Sequence, residues 1–589
     1  MISSTVLIHP TTWFLGGAVL LPFLDKKDKL RKTVLIGIPL IAFTLIHWLP
    51  DSFGHVSYLG FDLVFGRVDR LTRVFLHVFT IMAFIGCIYG LHVKETGQHI
   101  AAFLYVGGSL GVTLCGDYLT LYIFWEMMAF SSVFLIWYRK KRKSIEAGFR
   151  YILVHTTGGL ILLGGIFLRY KNIHDLSFVQ IATNGATFAD YLIMIGFMLN
   201  AAVPPIHAWL PDAYPEASVT GAVFMCAFTT KTAVYVLARG FPGFEALAIL
   251  GAIMTLYGVG YAVVENDARR ILAYHIVSQV GYMVCGIGIG TAMAVNGAVA
   301  HAYAHIIYKG LLFMGAGAVL EMTGTTKLNE LGGLYKRMPW AMVFTVIGGI
   351  SISGFPLTSG FISKSMIIAA AGVSHHPVLM LMMDLAAVGT FLSVGIKLPY
   401  FIWFGKDSGV KAKDAPWNMN LGMAIAAFLC FFLGIFPDYL YKMLPFPVYW
   451  NPYNTYHLSE TLQLLGFTGL GFFIMVKKLK PEPKINLDLD WFYRKGARAF
   501  IRFASRRVVP TNDWVNDVYR NVGMRASVAL ARAFSWFDWE GIDWTIDGSA
   551  RGVVEGGNRL RSLMTGKIQH YIGAAVALTF IILILVVLL

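Results

Sequence analysis

Six side chains stand where a chain rarely places them: Lys231, Lys309 and Lys364, with Glu126, His301 and His305, lie deep inside apolar stretches of this 589-residue sequence. Placing such a group in hydrocarbon costs about 2.5 kcal/mol or more, so a set of them reads first as a proton or ion path. Glu126 falls near the middle of Tyr118–Tyr138, flanked by Phe124, Trp125, Met127 and Met128. Burial favours the neutral carboxyl and a nearby cation the charged one, so a buried glutamate facing a movable lysine can trade its proton. A glutamate that merely caps a neighbouring helix is the plain alternative. Lys231, in Thr229–Arg239, lies far enough from the helix end to make snorkelling strained, and a desolvated amine is a ready proton carrier.

His301, His305 and Lys309 follow at i, i+4 and i+8 and so share one helical face. That face can hand protons along, because imidazole titrates near neutrality. Plain interhelical hydrogen bonding is the alternative. A metal is disfavoured, since a third local ligand and the glutamate of an HExxH helix are both missing. Lys364, in Gly360–Ser365, follows a helix-breaking stretch and suits the end where ions reach or leave the path. Lys397 and Asp384 lie nearer their helix ends and read as interfacial.

The elements that must hold these groups are membrane helices. The chain is 57% hydrophobic and 14% charged, against roughly 25% charged in soluble domains, and apolar runs long enough to span a bilayer recur throughout. Sixteen spans are expected, in an all-α polytopic fold. The net charge of +15 sits in short segments between spans, at 26–32, 139–143, 268–270, 327–337, 405–413 and 477–484. All six fall on one face by the positive-inside rule, which places both chain ends outward and excludes nucleic acid as the partner; Arg67, Arg70 and Arg73 run against this assignment. Five cysteines are scattered without CxxC or CxxH spacing, so no iron–sulfur, haem or zinc site is indicated and no cofactor is expected. The first apolar run, 2–24, reads as a retained helix rather than a signal peptide.

Two spans are broken, at Ala202–Pro211 and at Gly348–Gly360, about 150 residues apart. Paired broken helices point to an ion site in repeat-built transporters. Residues 485–567 differ in kind, being rich in Arg, Trp and Asp. Trp491, Phe492, Ala499, Phe500 and Phe503 recur at helical spacing beside Arg494, Arg498, Arg502 and Arg506. This pattern fits amphipathic helices on the membrane surface or on a partner, with a small soluble tail as the alternative. A final span covers 568–589.

Gly116–Ser132, with its Phe-Trp-Glu, Pro205–Ala213, with Pro-Ile-His-Ala-Trp-Leu-Pro-Asp-Ala, Asp267–Tyr282 and His301–Leu312 carry a specific likeness. Over roughly 100–405 the chain resembles the antiporter-like subunits shared by respiratory complex I, membrane-bound hydrogenases and multisubunit cation/proton antiporters. The core phrases look closer to the D-type antiporter subunit. Trp536–Gly548 and Thr565–Tyr571 look like the tail of the distal, largest antiporter-like subunit of complex I, with Pro510 implying a broken lateral helix.

The resemblance implies N-terminal spans at 1–99, two inverted five-helix repeats at 100–240 and 244–405, further spans at 406–484, surface helices at 485–567 and the last span. It assigns Glu126 as the buried glutamate, Lys231 as the connecting lysine, His301, His305 and Lys309 as the central relay and Lys364 as the terminal residue. The family's lysine before the first break is here Asn200, so Glu126 would need Lys231 or Arg150 as partner, and His207 in the break is an accessory candidate. The expected function is translocation of protons, or of protons against sodium, by one subunit of a complex I-like, hydrogenase-like or Mrp-like assembly in a prokaryotic inner membrane. Any oxidoreductase activity would belong to the assembly. The competing readings are a secondary antiporter subunit without redox partner, a non-pumping structural subunit, and a subunit of an inorganic-carbon uptake complex.

Overall fold

In a bilayer the backbone must satisfy its own polar groups, so each long apolar run has to be helical. The computed structural model describes residues 7–483 and 486–588. In chain order the helices are α1 (Pro10–Leu20), α2 (Asp28–Leu45), α3 (Arg70–Tyr89), α4 (Thr96–Leu114), α5 (Tyr118–Trp137), α6 (Arg142–Ile173), α7 (Phe188–Asn200), α8 (Trp209–Ala213), α9 (Val219–Ala227), α10 (Thr229–Gly240) and α11 (Glu245–Val264). They continue with α12 (Ala268–Ile289), α13 (Ala292–Thr323), α14 (Pro339–Ser353), α15 (Ser359–Val373), α16 (Pro377–Thr390), α17 (Trp417–Ile435), α18 (Pro437–Tyr441) and α19 (Thr455–Met475). Eleven described helices are long and apolar enough to cross a membrane, fewer than the sixteen expected. Four apolar helices are shorter, Pro10–Leu24, Phe188–Asn200, Pro339–Ser353 and Ser359–Val373, the last three because the two breaks end or divide their spans.

Both expected breaks are present. After α7 the backbone leaves the helix over 201–208 before α8, and 354–358 separates α14 from α15. The two regions are built alike. Asp117 and Asp267 cap α5 and α12, accepting from Thr120 N at 2.7 Å and from Arg269 N at 2.9 Å, and each also forms an isolated bridge, to Ser177 and to Lys327. The next helices, α6 and α13, have 32 residues each and start 150 positions apart.

Two features depart from the sequence reading. The link between α2 and α3 is a β-hairpin, β1 (Ser52–Tyr58) against β2 (Phe61–Arg67), so the chain is not wholly α-helical. Its turn residues Leu59 and Gly60 both have positive φ, the twist that suits a two-residue hairpin loop. The second is the carboxyl-terminal region, which forms a compact unit of its own from Trp491. There α20 (Asp490–Phe503), α21 (Val509–Val518), α22 (Arg525–Trp536) and α23 (Trp544–Leu563) are joined by π-helical turns at Ala504–Val508, Tyr519–Met524 and Phe537–Asp543. The helical run over 490–563 is therefore not broken at Pro510: the π turn ends just before it, and proline takes an early position of α21, where its missing N–H costs least. The last helix, α24, spans Ile568–Leu588.

Candidate ion-translocation path

Lys231 stands just past a kink that the sequence did not announce. α9 stops at Ala227 and α10 restarts at Thr229 around Phe228 (φ −101°, ψ −69°). There Lys231 Nζ donates to the Cys226 carbonyl at 2.6 Å and to Thr230 Oγ1 at 3.0 Å, with none of the residue exposed. On α13, His301, His305 and Lys309 are likewise sealed from solvent. Lys309 Nζ and both His305 nitrogens have no hydrogen-bond partner among the described residues, and Lys231, Lys309 and His305 act on one another electrostatically. Orphaned polar atoms of this kind are costly in a packed interior unless water or a moving ion completes them.

Beyond His305 the contacts become explicit. His301 Nδ1 lies 3.0 Å from Ser363 Oγ and its Nε2 3.2 Å from Gln279 Oε1, to which Tyr308 also donates at 3.3 Å. His275, one turn before Gln279 on α12, lies 2.6 Å from Ser393 Oγ. Lys364 follows Ser363 on α15, donates to the Ile352 carbonyl at 2.8 Å where α14 ends, and sits 5.5 Å over the Tyr282 ring. It lines a cavity of about 470 Å³ together with Ser365, Asp384, Asn454, His457 and Glu460. A row of polar groups thus runs from Lys231 through α13 to a cavity at the second break.

Four candidates lie elsewhere. Glu126 is half-buried, rests its Oε1 against the backbone of Gly159 on α6, and has no hydrogen bond to that oxygen among the described residues. Neither expected partner reaches it. Arg150 instead grips Asp212 of α8 with two bonds, at 2.7 and 3.0 Å, and Lys231 is held at its own kink. His207, inside the first break, has its Nε2 3.3 Å from Asp488 Oδ1. Asn200 is buried beside His155 of α6.

Lys397 is buried but structural. Its Nζ caps the carboxyl end of α11, donating to Val263 O at 2.6 Å and Glu265 O at 2.9 Å. Asp384, read as interfacial, instead lines the cavity at Lys364. Sequence reasoning missed His275, Gln279, Ser363, His457 and Glu460. The first two had a findable signal, since they too are polar at i and i+4 in an apolar helix. His457 and Glu460 had none, because nothing local ties α19 to α15.

A polytopic helical protein with a titratable core is thereby defined. Residues 115–393, just under half of the chain, match the family described as NADH:quinone oxidoreductase/Mrp antiporter, transmembrane. The Na(+)/H(+) antiporter subunit A1 of Staphylococcus haemolyticus is 30% identical, over 68% of this chain and 55% of that protein. Subunit A1 of Staphylococcus aureus strain JH9 is 28% identical, over 84% and 68% respectively. The chain spans between about half and two thirds of these relatives' length, and both are subunit A1 rather than the D-type. Among solved structures, a chain of the Mrp complex from Dietzia sp. DQ12-45-1b shares the fold with a TM-score of 0.69 at 21% identity, covering 80% of this chain and 99% of that one. A chain of the membrane-bound sulfane sulfur reductase, an archaeal respiratory membrane complex, does so at 0.67 and 23%, covering 79% and 99%.

Proposed function

We propose that the chain is the ion-translocating membrane subunit of a multisubunit complex in a prokaryotic plasma membrane, moving protons alone or in exchange for sodium. The observation that carries this reading is the succession of buried titratable and hydrogen-bonding side chains from Lys231 through Lys309, His305, His301 and Ser363 to Lys364 and its cavity. A charge change in a neighbouring subunit shifts the proton balance near Lys231, and the change passes along α13 to Lys364. The aspartate caps shared by α5 and α12 and the equal lengths of α6 and α13 support two repeats with half-channels meeting on this axis. Replacing Lys231 by Ala is expected to abolish proton transport in membrane vesicles while the assembled complex persists; wild-type transport in that variant rejects the relay.

A second reading is a secondary antiporter with no redox partner. It draws on the names of the relatives, both Na(+)/H(+) antiporter subunits. Vesicles separate the two: proton movement set off by sodium alone favours exchange, and movement that needs an electron donor favours redox coupling.

A further inference from the structure

The path described above starts at Lys231 and leaves Glu126 without a route to it. Between them lies a second concentration of orphaned polar atoms. Glu126 Oε1, both ring nitrogens of His155 and both amide atoms of Asn200 are buried without a well-formed hydrogen bond among the described residues. They are neighbours. Glu126 Oε1 rests on Gly159, four positions and so one helical turn along α6 from His155. Asn200, the last residue of α7, faces the His155 ring closely enough to interact. His155 and Asn200 are each only 1% exposed, so neither can turn to solvent for a partner.

On its other side His155 meets a cluster of hydroxyls. Its ring packs against that of Tyr151, tilted by 39° with centroids 4.1 Å apart, and meets Trp209 edge-on at 4.5 Å. Tyr151 OH pairs with Ser132 Oγ at 2.8 Å and also interacts with the Thr229 hydroxyl. Thr229 Oγ1 is 2.6 Å from Tyr105 OH, and Thr229 opens α10 two residues before Lys231, whose Nζ meets Thr230 Oγ1 at 3.0 Å. Each hydroxyl can accept one proton while donating another, so such a cluster moves protons without moving side chains.

We infer that His155 is a proton carrier in the first half of the path, passing protons between Glu126 and the Tyr151–Thr229 hydroxyl cluster that ends at Lys231. The inference rests on the relay reading above and extends it. The Glu126 carboxylic acid gives its proton, directly or through one water, to the unprotonated ring nitrogen of His155, leaving a carboxylate and an imidazolium. The imidazolium releases the proton from its other nitrogen into the hydroxyl cluster, which delivers one to the neutral Lys231 amine, leaving imidazole and ammonium. The relay returns to its start when Lys231 passes its proton on and Glu126 takes up another. A lone histidine in an apolar helix is usually a satisfied packing residue; this one is buried, lacks a well-formed hydrogen bond among the described residues, and is flanked by a carboxyl on one side and hydroxyls on the other.

The test uses the full chain in its complex, with each variant replacing the chromosomal copy and proton movement followed in vesicles by a pH-sensitive dye. His155→Gln fills the space but cannot carry a proton, and is expected to lower transport about 100-fold with the complex still assembled. Adding Asn200→Lys in the same chain places an ionisable group on the opposite wall and is expected to bring transport back to within about tenfold of wild type. If His155→Gln does not accumulate, the smaller amide of His155→Asn takes its place. Wild-type transport in the amide variant, while Lys231→Ala abolishes it, overturns the role of His155 and leaves the relay standing. Wild-type transport in both variants removes the relay itself. Loss that Asn200→Lys fails to rescue makes His155 a packing residue and also overturns the inference.

Discussion

Lys309 holds a costly position in the proposed path. Its amine is fully buried, has no hydrogen-bond partner among the described residues, and shares its surroundings with Lys231 and His305. A carboxylate nearby would have stabilised the charged amine and also trapped its proton. With none acting on it among the described residues, the group stays labile at the expense of the fold. Lys309→Met keeps the stem and volume and removes the amine. It is expected to raise stability by about 1–2 kcal/mol, since a residue costing roughly 2.5 kcal/mol in hydrocarbon is replaced by one that belongs there, while transport is lost. Thermal denaturation of the purified complex and the vesicle assay read the two effects separately. Unchanged or lower stability together with retained transport would make Lys309 an ordinary structural residue. This group was legible in the sequence for the reason that makes it costly: a lysine amid small and apolar residues, on one face with two histidines, stands out against its surroundings. His155 and Ser363 were not, because a neutral polar residue in a helix is common and only its neighbours reveal whether it is satisfied.

At the scale of elements, the proposed path depends on how closely α11 and α12 lie. A Cβ added to Gly258 would meet Ser278 N at 2.5 Å and Tyr274 O at 2.6 Å, and one added to Gly288 would meet Ala248 N at 2.0 Å. These are backbone atoms of the facing helix, so the two helices touch main chain to main chain over several turns, as small residues permit between membrane helices. The closeness matters because α12 carries His275 and Gln279, and a helix held at two glycines cannot roll them away from α13. Gly258→Ala forces the pair apart, since the contacts have no flexible end to yield. The expected cost is about 2–3 kcal/mol, in the range of overpacked cores, with lower transport per assembled chain; stability within about 0.5 kcal/mol of wild type would mean that the helices separate freely. The broken helices were readable from Pro and Gly clusters at matching places. The kink at Phe228 was not, since Phe-Thr-Thr-Lys contains no breaker. Nor was the β-hairpin at 52–67, whose short alternating strands sit in what length alone marks as a loop between spans. Pro510 misled for the opposite reason: a breaker was present, and a π turn absorbed it.

At the scale of the whole molecule, one short segment ties distant parts together. Asn486–Asp488 follows the last helix of the first unit and lies against α11, α12 and the first break. Tyr261 OH donates to Leu487 O at 2.9 Å, Asn486 Nδ2 reaches Glu265 Oε2 at 3.3 Å, and Tyr274 OH donates to Asp488 Oδ2 at 2.7 Å. Tyr257 OH also donates to Asp488, and His207 Nε2 lies 3.3 Å away. Burial alone would push the Asp488 carboxyl up, but the histidine and the two phenols outweigh it and hold it well below the usual carboxylate range. The sign follows: a group whose acidity is strengthened by folding stabilises the fold above its unfolded pKa, about 3.9 for Asp, and loses that contribution only as pH falls through the lower folded value. Asp488→Asn keeps the shape and one acceptor but not the charge. It is expected to cost about 2 kcal/mol, the worth of a hydrogen bond to a charged group, with a difference from wild type that stays flat from neutral pH down to the unfolded carboxylate range and shrinks only below it. Denaturation of the two proteins at a series of pH values checks this. A difference that already fades near neutral pH would mean that Asp488 carries no charge in the folded protein, and that the segment is held to the first break by packing alone.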